Sequence, residues 1–320
     1  MEINNELLKE LCNINGVSGY ENKVIRFIYK KLEQVKLDKM FIDSVGNLIC
    51  YRKGRNSEKT IMISAHVDEV GFQIIKEKDK SQFLIKSLGN IKSWNAINQV
   101  VSSENTKGII YATNEELLKS HNFENLYIQC FDEEKINVGD VFAFESEYFE
   151  TEKYYVCKAL DNRISCYCLL KLIEAEIPTD SDVYYVFTVQ EEISMRGTRV
   201  AKSSIKPDIC ITVDVSPENV RSSIKVGAGV GLKISDSIGV SNTDMISMAR
   251  NICEITDIQY QMEVSDCGTS ELIITNELDY GCKDIGISIP CNHIHTSHSF
   301  VCKEDVIKCR KLLTEIVEKY

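Results

Sequence analysis

The chain has 320 residues, 43% hydrophobic and 27% charged, the balance of a soluble globular protein with room for an enzyme core and more than one domain. Its 37 basic and 48 acidic residues leave a net charge of −11 with no basic stripe, which argues against a nucleic-acid partner. No apolar run approaches the roughly 18 residues a membrane helix needs, so no membrane association and a cytoplasmic location are expected.

In chain order, MEINNELLKEL reads as a polar amphipathic helix, lacking the basic-then-apolar order of a signal peptide. SGYENKVIRFIYKKLEQ follows. Its Ser18 and Glu21 have the spacing of a capping box, and Val24, Ile25, Phe27, Ile28 and Leu32 recur at helical spacing. TIMISAH (60–66), DVYYVFTV (182–189), DICITVDV (208–215) and DIGISIP (284–290) are short, nearly continuous apolar runs, the pattern of central strands covered on both faces. Helical patterns over 162–177, 241–256 and 303–320 alternate with them, which predicts an α/β fold with a mixed central sheet flanked by helices.

The stretch from about 70 to 152 differs. GFQIIKE, QFLIKSLG, KGIIYAT, NLYIQCF and DVFAFES are short alternating runs divided by turn residues, with one brief helix candidate at NEELLKS (114–120). This predicts a small β-rich module over 70–152, inserted into a catalytic domain made of 1–69 and 153–320. The thirteen cysteines are odd in number, form no C-x-x-C pair and sit mostly in apolar segments, as small buried hydrophobes do.

The charged residues fall in a pattern. His66 and Asp68 follow TIMIS, Asp161 follows YYVCKAL, Glu191 and Glu192 follow DVYYVFTV, Asp214 ends CITV, and His295 follows GISIPCNHI. Any one of these reads equally well as a turn or cap residue. Five strand-like runs ending in metal-capable side chains are another matter, because ligands in an open α/β sheet bind at the carboxyl ends of the strands. The set holds only carboxylates and imidazoles, with no cysteine recruited. That chemistry suits two divalent cations bridged by a carboxylate, Zn²⁺ first and Co²⁺ or Mn²⁺ as alternatives, more than a thiolate-rich structural zinc.

SAHVDEVGF, ALDNR, VQEEISMRGT, VDV and IPCNHIH, in this order and spacing, resemble family forty-two of the metallopeptidases over nearly the whole chain. These are dinuclear aminopeptidases of the glutamyl-aminopeptidase type, several of them tetrahedral and some formerly labelled endoglucanases. The resemblance implies hydrolysis of N-terminal residues from peptides with a free N-terminus, and a homo-oligomer built on dimers or reaching a dodecamer. It implies a barrel-like module for dimerisation, inserted between the first histidine and the bridging aspartate. It assigns His66 and Asp214 to one metal, Glu192 and His295 to the other, and Asp161 as the bridge. Asp68 would accept the second ring N–H of His66, and Glu191 would be the general base. Neighbouring strand residues point opposite ways, which would send Glu192 to metal and Glu191 to water.

This chain departs from the family pattern at CGTSEL, where Ser270 occupies a position usually held by Asp and Glu271 follows it. That predicts an altered cleft wall. IKSWNAINQ stands in place of the usual Gly-Trp-Asp run, and its Trp94 is expected to anchor the module. His293 and His298 are expected outside the metal set. KVGAGVGLKISD lacks the strand-turn-helix context of a nucleotide site, so its glycines are expected to allow close backbone passage near the cleft. The rival reading is a non-catalytic or divergent scaffold that retains the peptidase fold.

Overall fold

A computed structural model describes residues 5–57, 59–113, 123–132, 135–266, 268–272, 274 and 281–320. The chain opens with α1 (Asn5–Asn13) and α2 (Asn22–Leu32), then β1 (Lys39–Ile42), β2 (Leu48–Arg52) and β3 (Thr60–His66). The module follows as β4 (Gly71–Asp79), β5 (Gln82–Leu88), a short α3 (Ser93–Ala96), β6 (Val100–Ser102), β7 (Lys107–Ala112), β8 (Leu126–Cys130) and β9 (Val141–Phe144). The remainder comprises β10 (Phe149–Glu150), β11 (Tyr154–Cys157), α4 (Leu160–Glu174), β12 (Asp182–Thr188), α5 (Arg196–Ile205), β13 (Ile209–Pro217), β14 (Val230–Ser235), α6 (Thr243–Ile255), β15 (Tyr260–Val264), β16 (Lys283–Asn292), β17 (Ser299–Cys302) and α7 (Lys303–Lys319).

The large sheet runs β1-β2-β12-β3-β13-β16-β17-β11-β10, with β14 and β15 branching from β16. Its centre, β12-β3-β13-β16, is parallel. These strands are buried along nearly their whole length because both faces are covered. Ile61, Ile63 and Ala65 of β3 join the core beneath α1, α2, α4, α6 and α7, whereas Met62 packs with Ile49, Val186, Cys210 and Ala201 of α5 on the other face. The helices follow their apolar spacing: α2 buries Val24, Ile25, Ile28 and Leu32, and α7 buries Val306, Cys309, Leu312, Leu313, Ile316 and Val317. The mixed α/β architecture is the one the sequence predicted. The edge strand β1, its neighbour β2 and the helix α5 were not read from it.

Strands β4-β5-β8-β7-β6-β9 close into a barrel with a core of its own, in which Phe72 meets Phe144 edge-on at 5.1 Å. β10 already pairs with β11 in the large sheet. The segment NEELLKS lies outside the described residues. The described cysteines are free thiols, buried except for the half-buried Cys282. No helix among the described residues is long and apolar enough to cross a membrane.

The capping box does not form. The side chain of Ser18 donates instead to Asp68 Oδ2 at 2.5 Å, while Glu21 Oε1 accepts the amides of Gly19 at 2.7 Å and Gln190 at 3.0 Å. Ser18 thus binds the loop after β3 and Glu21 the loop after β12, and α2 begins without a side-chain cap. Tertiary partners outcompete the local motif because these loop amides would otherwise be buried without acceptors.

Candidate metal centre and active-site cleft

The parallel strands β3, β12 and β13 place their carboxyl ends along one edge of the sheet. His66 ends β3, Asp214 lies near the end of β13, and Glu191 and Glu192 follow β12. β16 is parallel to β13, and His295 lies just beyond it. Asp161 comes from the β11–α4 junction, where Ala159 adopts φ 53° and the Asp161–Asn162 peptide is cis. All seven side chains named from the sequence are brought together at this edge.

His66 Nε2 lies 3.3 Å from Asp161 Oδ1, 3.5 Å from Asp214 Oδ1 and 4.0 Å from Glu191 Oε2. His295 Nε2 lies 3.2 Å from Asp161 Oδ2 and 3.1 Å from Glu192 Oε1. Two groups therefore have donor atoms close enough for a cation: His66, Asp161 and Asp214, and Asp161, Glu192 and His295. Asp161 belongs to both and offers a different oxygen to each. Glu192 Oε1 is buried without a hydrogen-bond donor, an acceptor that a cation would satisfy. The residues present fit a metal centre on that ground.

The electrostatics agree. Burial pushes the Glu191 carboxyl well above its ordinary range, with Asp214, Glu192 and Asp68 adding to the rise against the pull of His66. Burial raises Glu192 as well, opposed by His295. Burial works against both imidazoles, yet the surrounding carboxylates outweigh it and lift His66 and His295 well above the usual histidine value. Asp161 goes the other way: burial opposes its charge, and the hydrogen bonds and charges of His295 and His66 prevail and hold it below the carboxylate range. Close-set acids in a dry site demand positive charge, and beside the acid cluster the imidazoles of His66 and His295 supply it.

Asp68 does more than the sequence implied. Its Oδ1 lies 3.4 Å from His66 Nδ1, although the backbone oxygen of Asp68 is also 3.3 Å from that nitrogen. The same carboxylate accepts the amides of Glu191 at 3.0 Å and Glu192 at 3.1 Å. The paired glutamates lie beyond the end of β12, so their divergence does not come from strand alternation. One buried carboxylate grips both amides and holds the turn that splits the pair.

Other partners had no signal in the sequence. His295 Nδ1 donates to the backbone oxygen of Asn90 at 2.8 Å, leaving Nε2 facing the acids. Asn90 belongs to the module, and Gly89 brings it there: its φ is +87° and an added Cβ would stand 3.3 Å from Glu192 Cβ. Arg163 is fully buried and ties the loops below the site, donating to the oxygens of Val67 at 2.5 Å, Leu11 at 2.7 Å and Ile14 at 3.1 Å.

The acids open into a cleft of about 650 Å³ walled by both units. Trp94 is 46% exposed and lines the cleft, so it does not serve as the buried module anchor expected of it. Ser270 is buried and hydrogen-bonded to Asp236 Oδ2 at 2.9 Å. Glu271 is drawn away from the cleft beneath the sheet, where Ser64 at 2.6 Å, Thr188 at 2.5 Å and Thr198 donate to it. His293 lines the cleft and His298 contacts Ser297; neither joins the two acid–imidazole groups. The glycine loop passes against β15 and α7, not the cleft: an added Cβ on Gly229 would stand 2.3 Å from the oxygen of Gln259, and the amides of Gly227 and Gly229 donate to Asp305.

A mixed α/β sheet with acids and imidazoles at its strand ends, and a closed barrel walling the cleft, defines a hydrolase of the metallopeptidase class. Residues 46–312 match the M42 glutamyl aminopeptidase family, and the chain belongs to it. It is 30% identical over 325 residues to a protein of Acetivibrio thermocellus provisionally named an aminopeptidase, covering 98% of each chain. It is 25% identical to the lysyl aminopeptidase of Pyrococcus furiosus, covering 98% of this chain and 96% of that one. Among solved structures, the TET1 peptidase of Pyrococcus horikoshii, described as able to assemble into a tetrahedron or a large octahedral shell, shares the fold with a TM-score of 0.87. The two are 22% identical, with 98% of this chain and 99% of that chain covered. The chain is thus a hydrolase of the aminopeptidase type.

Proposed function

We propose that the protein removes N-terminal residues from peptides using two divalent cations, Zn²⁺ first and Co²⁺ or Mn²⁺ as alternatives. The observation that carries this reading is the shared Asp161, whose two oxygens face two separate acid–imidazole groups. His66 and Asp214 would hold one ion, Glu192 and His295 the other, with Asp161 between them. Bound together, such ions polarise a carbonyl and acidify water. The chain supplies the rest. Glu191 takes the proton of the attacking water and returns it to the leaving amine. Asp68 and the Asn90 carbonyl fix the two imidazoles so that each Nε2 faces the acids. A free α-amine held at the acid-lined end of the cleft confines cleavage to the first residue.

The division into a catalytic domain (1–69 and 153–320) and a module (70–152) is part of the proposal. The module's own core supports it, and its walling of the cleft adds a role beyond dimerisation. A homo-oligomer is proposed from the family, and a cytoplasmic location from the free thiols, which suit a reducing compartment. The scaffold reading is not favoured, because every chemistry-bearing side chain is present. The test is hydrolysis of aminoacyl-p-nitroanilides and short peptides before and after EDTA, with metal restored. Cleavage that is metal-dependent and confined to unblocked N-termini is expected; cleavage of N-acetylated peptides would overturn the exopeptidase reading.

A further inference from the structure

Several thiols lie beside one another. Cys12 neighbours Cys157, Cys168 neighbours Cys309, and all four are completely buried. Cys210 and Cys282 differ: their sulfurs lie 3.2 Å apart, Cys210 is 1% exposed, and Cys282 is half-buried. Cys210 is the second residue of β13, and Cys282 immediately precedes β16. The two strands are parallel, with Cys210 opposite Asp284. Cys282 lies two residues before that partner, so both side chains take the same face of the sheet, in the cluster of Ile49, Met62, Val186 and Ala201. The Lys283 amide donates to the Asp208 oxygen at 2.9 Å, which fixes the backbone beside both cysteines. This is the amino end of the strands, opposite the edge that carries Asp214 and His295.

Two thiols this close need a shift of only about 1 Å to reach the roughly 2.05 Å of a disulfide bond. Of the three pairs, this one has a sulfur within reach of a dissolved reagent. Its chemistry is also ordered. The Cys282 hydrogen bond, and then burial, raise the Cys210 thiol well above its ordinary value against the pull of Lys202, so the more exposed sulfur gives up its proton first. We infer that Cys210 and Cys282 form a thiol-exchange site for small-molecule disulfides, closing into a reversible bridge that locks β13 to β16. The Cys282 thiolate attacks one sulfur of the incoming disulfide, whose S–S bond breaks and whose other sulfur leaves and takes up a proton. Cys210 then attacks the Cys282 sulfur, and its proton passes to the second small thiol as that leaves. Two protein thiols and one small disulfide become one protein disulfide and two small thiols, with two electrons passing to the reagent. In a reducing compartment the pair rests as thiols, and a rise in small-molecule disulfide closes it.

The test treats the zinc-loaded full chain with oxidised glutathione and maps its cysteines by mass spectrometry without reduction. The wild type is expected to yield a peptide linking Cys210 to Cys282, with no glutathione left on either residue, and dithiothreitol should reverse the linkage. C210S and C210A should instead keep glutathione on Cys282, and C282S should form neither the bridge nor that adduct. The bridge closes a long loop, from 210 to 282, so the oxidised wild type should unfold about 5 °C or more above the reduced one, a rise absent from all three variants. Glutathione held on Cys282 of the wild type without a bridge would overturn the exchange site. Linkage of Cys282 to another cysteine, or no reaction at Cys282, would overturn it as well. Equal unfolding temperatures for the bridged and reduced wild type would overturn the lock.

Discussion

Asp68→Asn tests how the site is held together. The Asp68 carboxylate is completely buried and meets four groups: Ser18 Oγ and the Glu192 amide on Oδ2, the Glu191 amide and His66 Nδ1 on Oδ1. An asparagine has one oxygen to offer. If that oxygen takes the Oδ2 side, the NH₂ group faces the Glu191 amide and can donate to His66 Nδ1, which forces the ring proton onto Nε2. If it takes the Oδ1 side, the Glu192 amide loses its acceptor. In either orientation one buried amide is orphaned, worth about 1–3 kcal/mol of folding stability, and the imidazole or the glutamate turn shifts. The expected outcome is a loss of about 10- to 100-fold in zinc affinity or turnover, read by competition with a chromophoric chelator, together with a lower urea midpoint. Wild-type zinc affinity and turnover in D68N would refute the argument and assign tautomer control to the Asp68 backbone oxygen.

Other outcomes follow from the same geometry. Glu191→Gln should retain metal and lose about 10²- to 10⁴-fold in kcat, checked by metal analysis beside peptide hydrolysis. Arg163→Met should orphan the buried oxygens of Leu11, Ile14 and Val67 and cost several kcal/mol in chemical denaturation, about 3–5 if it behaves like one half of a broken buried ion pair. Burial, reinforced by the charge of Asp68, raises Glu21 from 4.5 to about 7, against the pull of the Gly19 and Gln190 amides. Its contribution to stability is therefore fully present below pH 4.5 and lost as pH rises through 7, a change of at most about 3 kcal/mol. Glu21→Gln keeps the oxygen that accepts both amides, so its stability relative to wild type should rise across that window; parallel urea profiles at pH 5 and pH 8 would contradict this.

The site was legible where chemistry sits at strand ends. His66 and Asp214 lie on strands, and Asp161 and the glutamate pair lie in the segments just past strands, so the order of apolar runs brings all of them to one edge of the sheet without fixing where each side chain points. What holds them was not legible. The Asn90 carbonyl that orients His295 has no sequence signature, because any residue carries one. Ser18 and Glu21 have the spacing of a helix cap, and only the approach of the loops after β3 and β12 shows that both serve the site instead. Glu191 and Glu192 were placed by strand alternation, yet they lie in a turn governed by Asp68. Trp94 has the composition of a core residue, and its exposure follows from the short α3 that the barrel holds over the cleft. The barrel's alternating runs announced β structure, but ring closure depends on which strands pair, and local pattern does not encode that.

The central claim is that Asp161 joins two cation sites into one catalytic centre. Its most direct test is the initial rate of glutamyl- and leucyl-peptide hydrolysis, measured against bound zinc per chain as the EDTA-stripped protein is reloaded. Activity that rises to its maximum as binding reaches two ions per chain, with Asp161→Asn losing both ions and rate, is the expected result. Full activity in the stripped protein, or in Asp161→Asn, would contradict it.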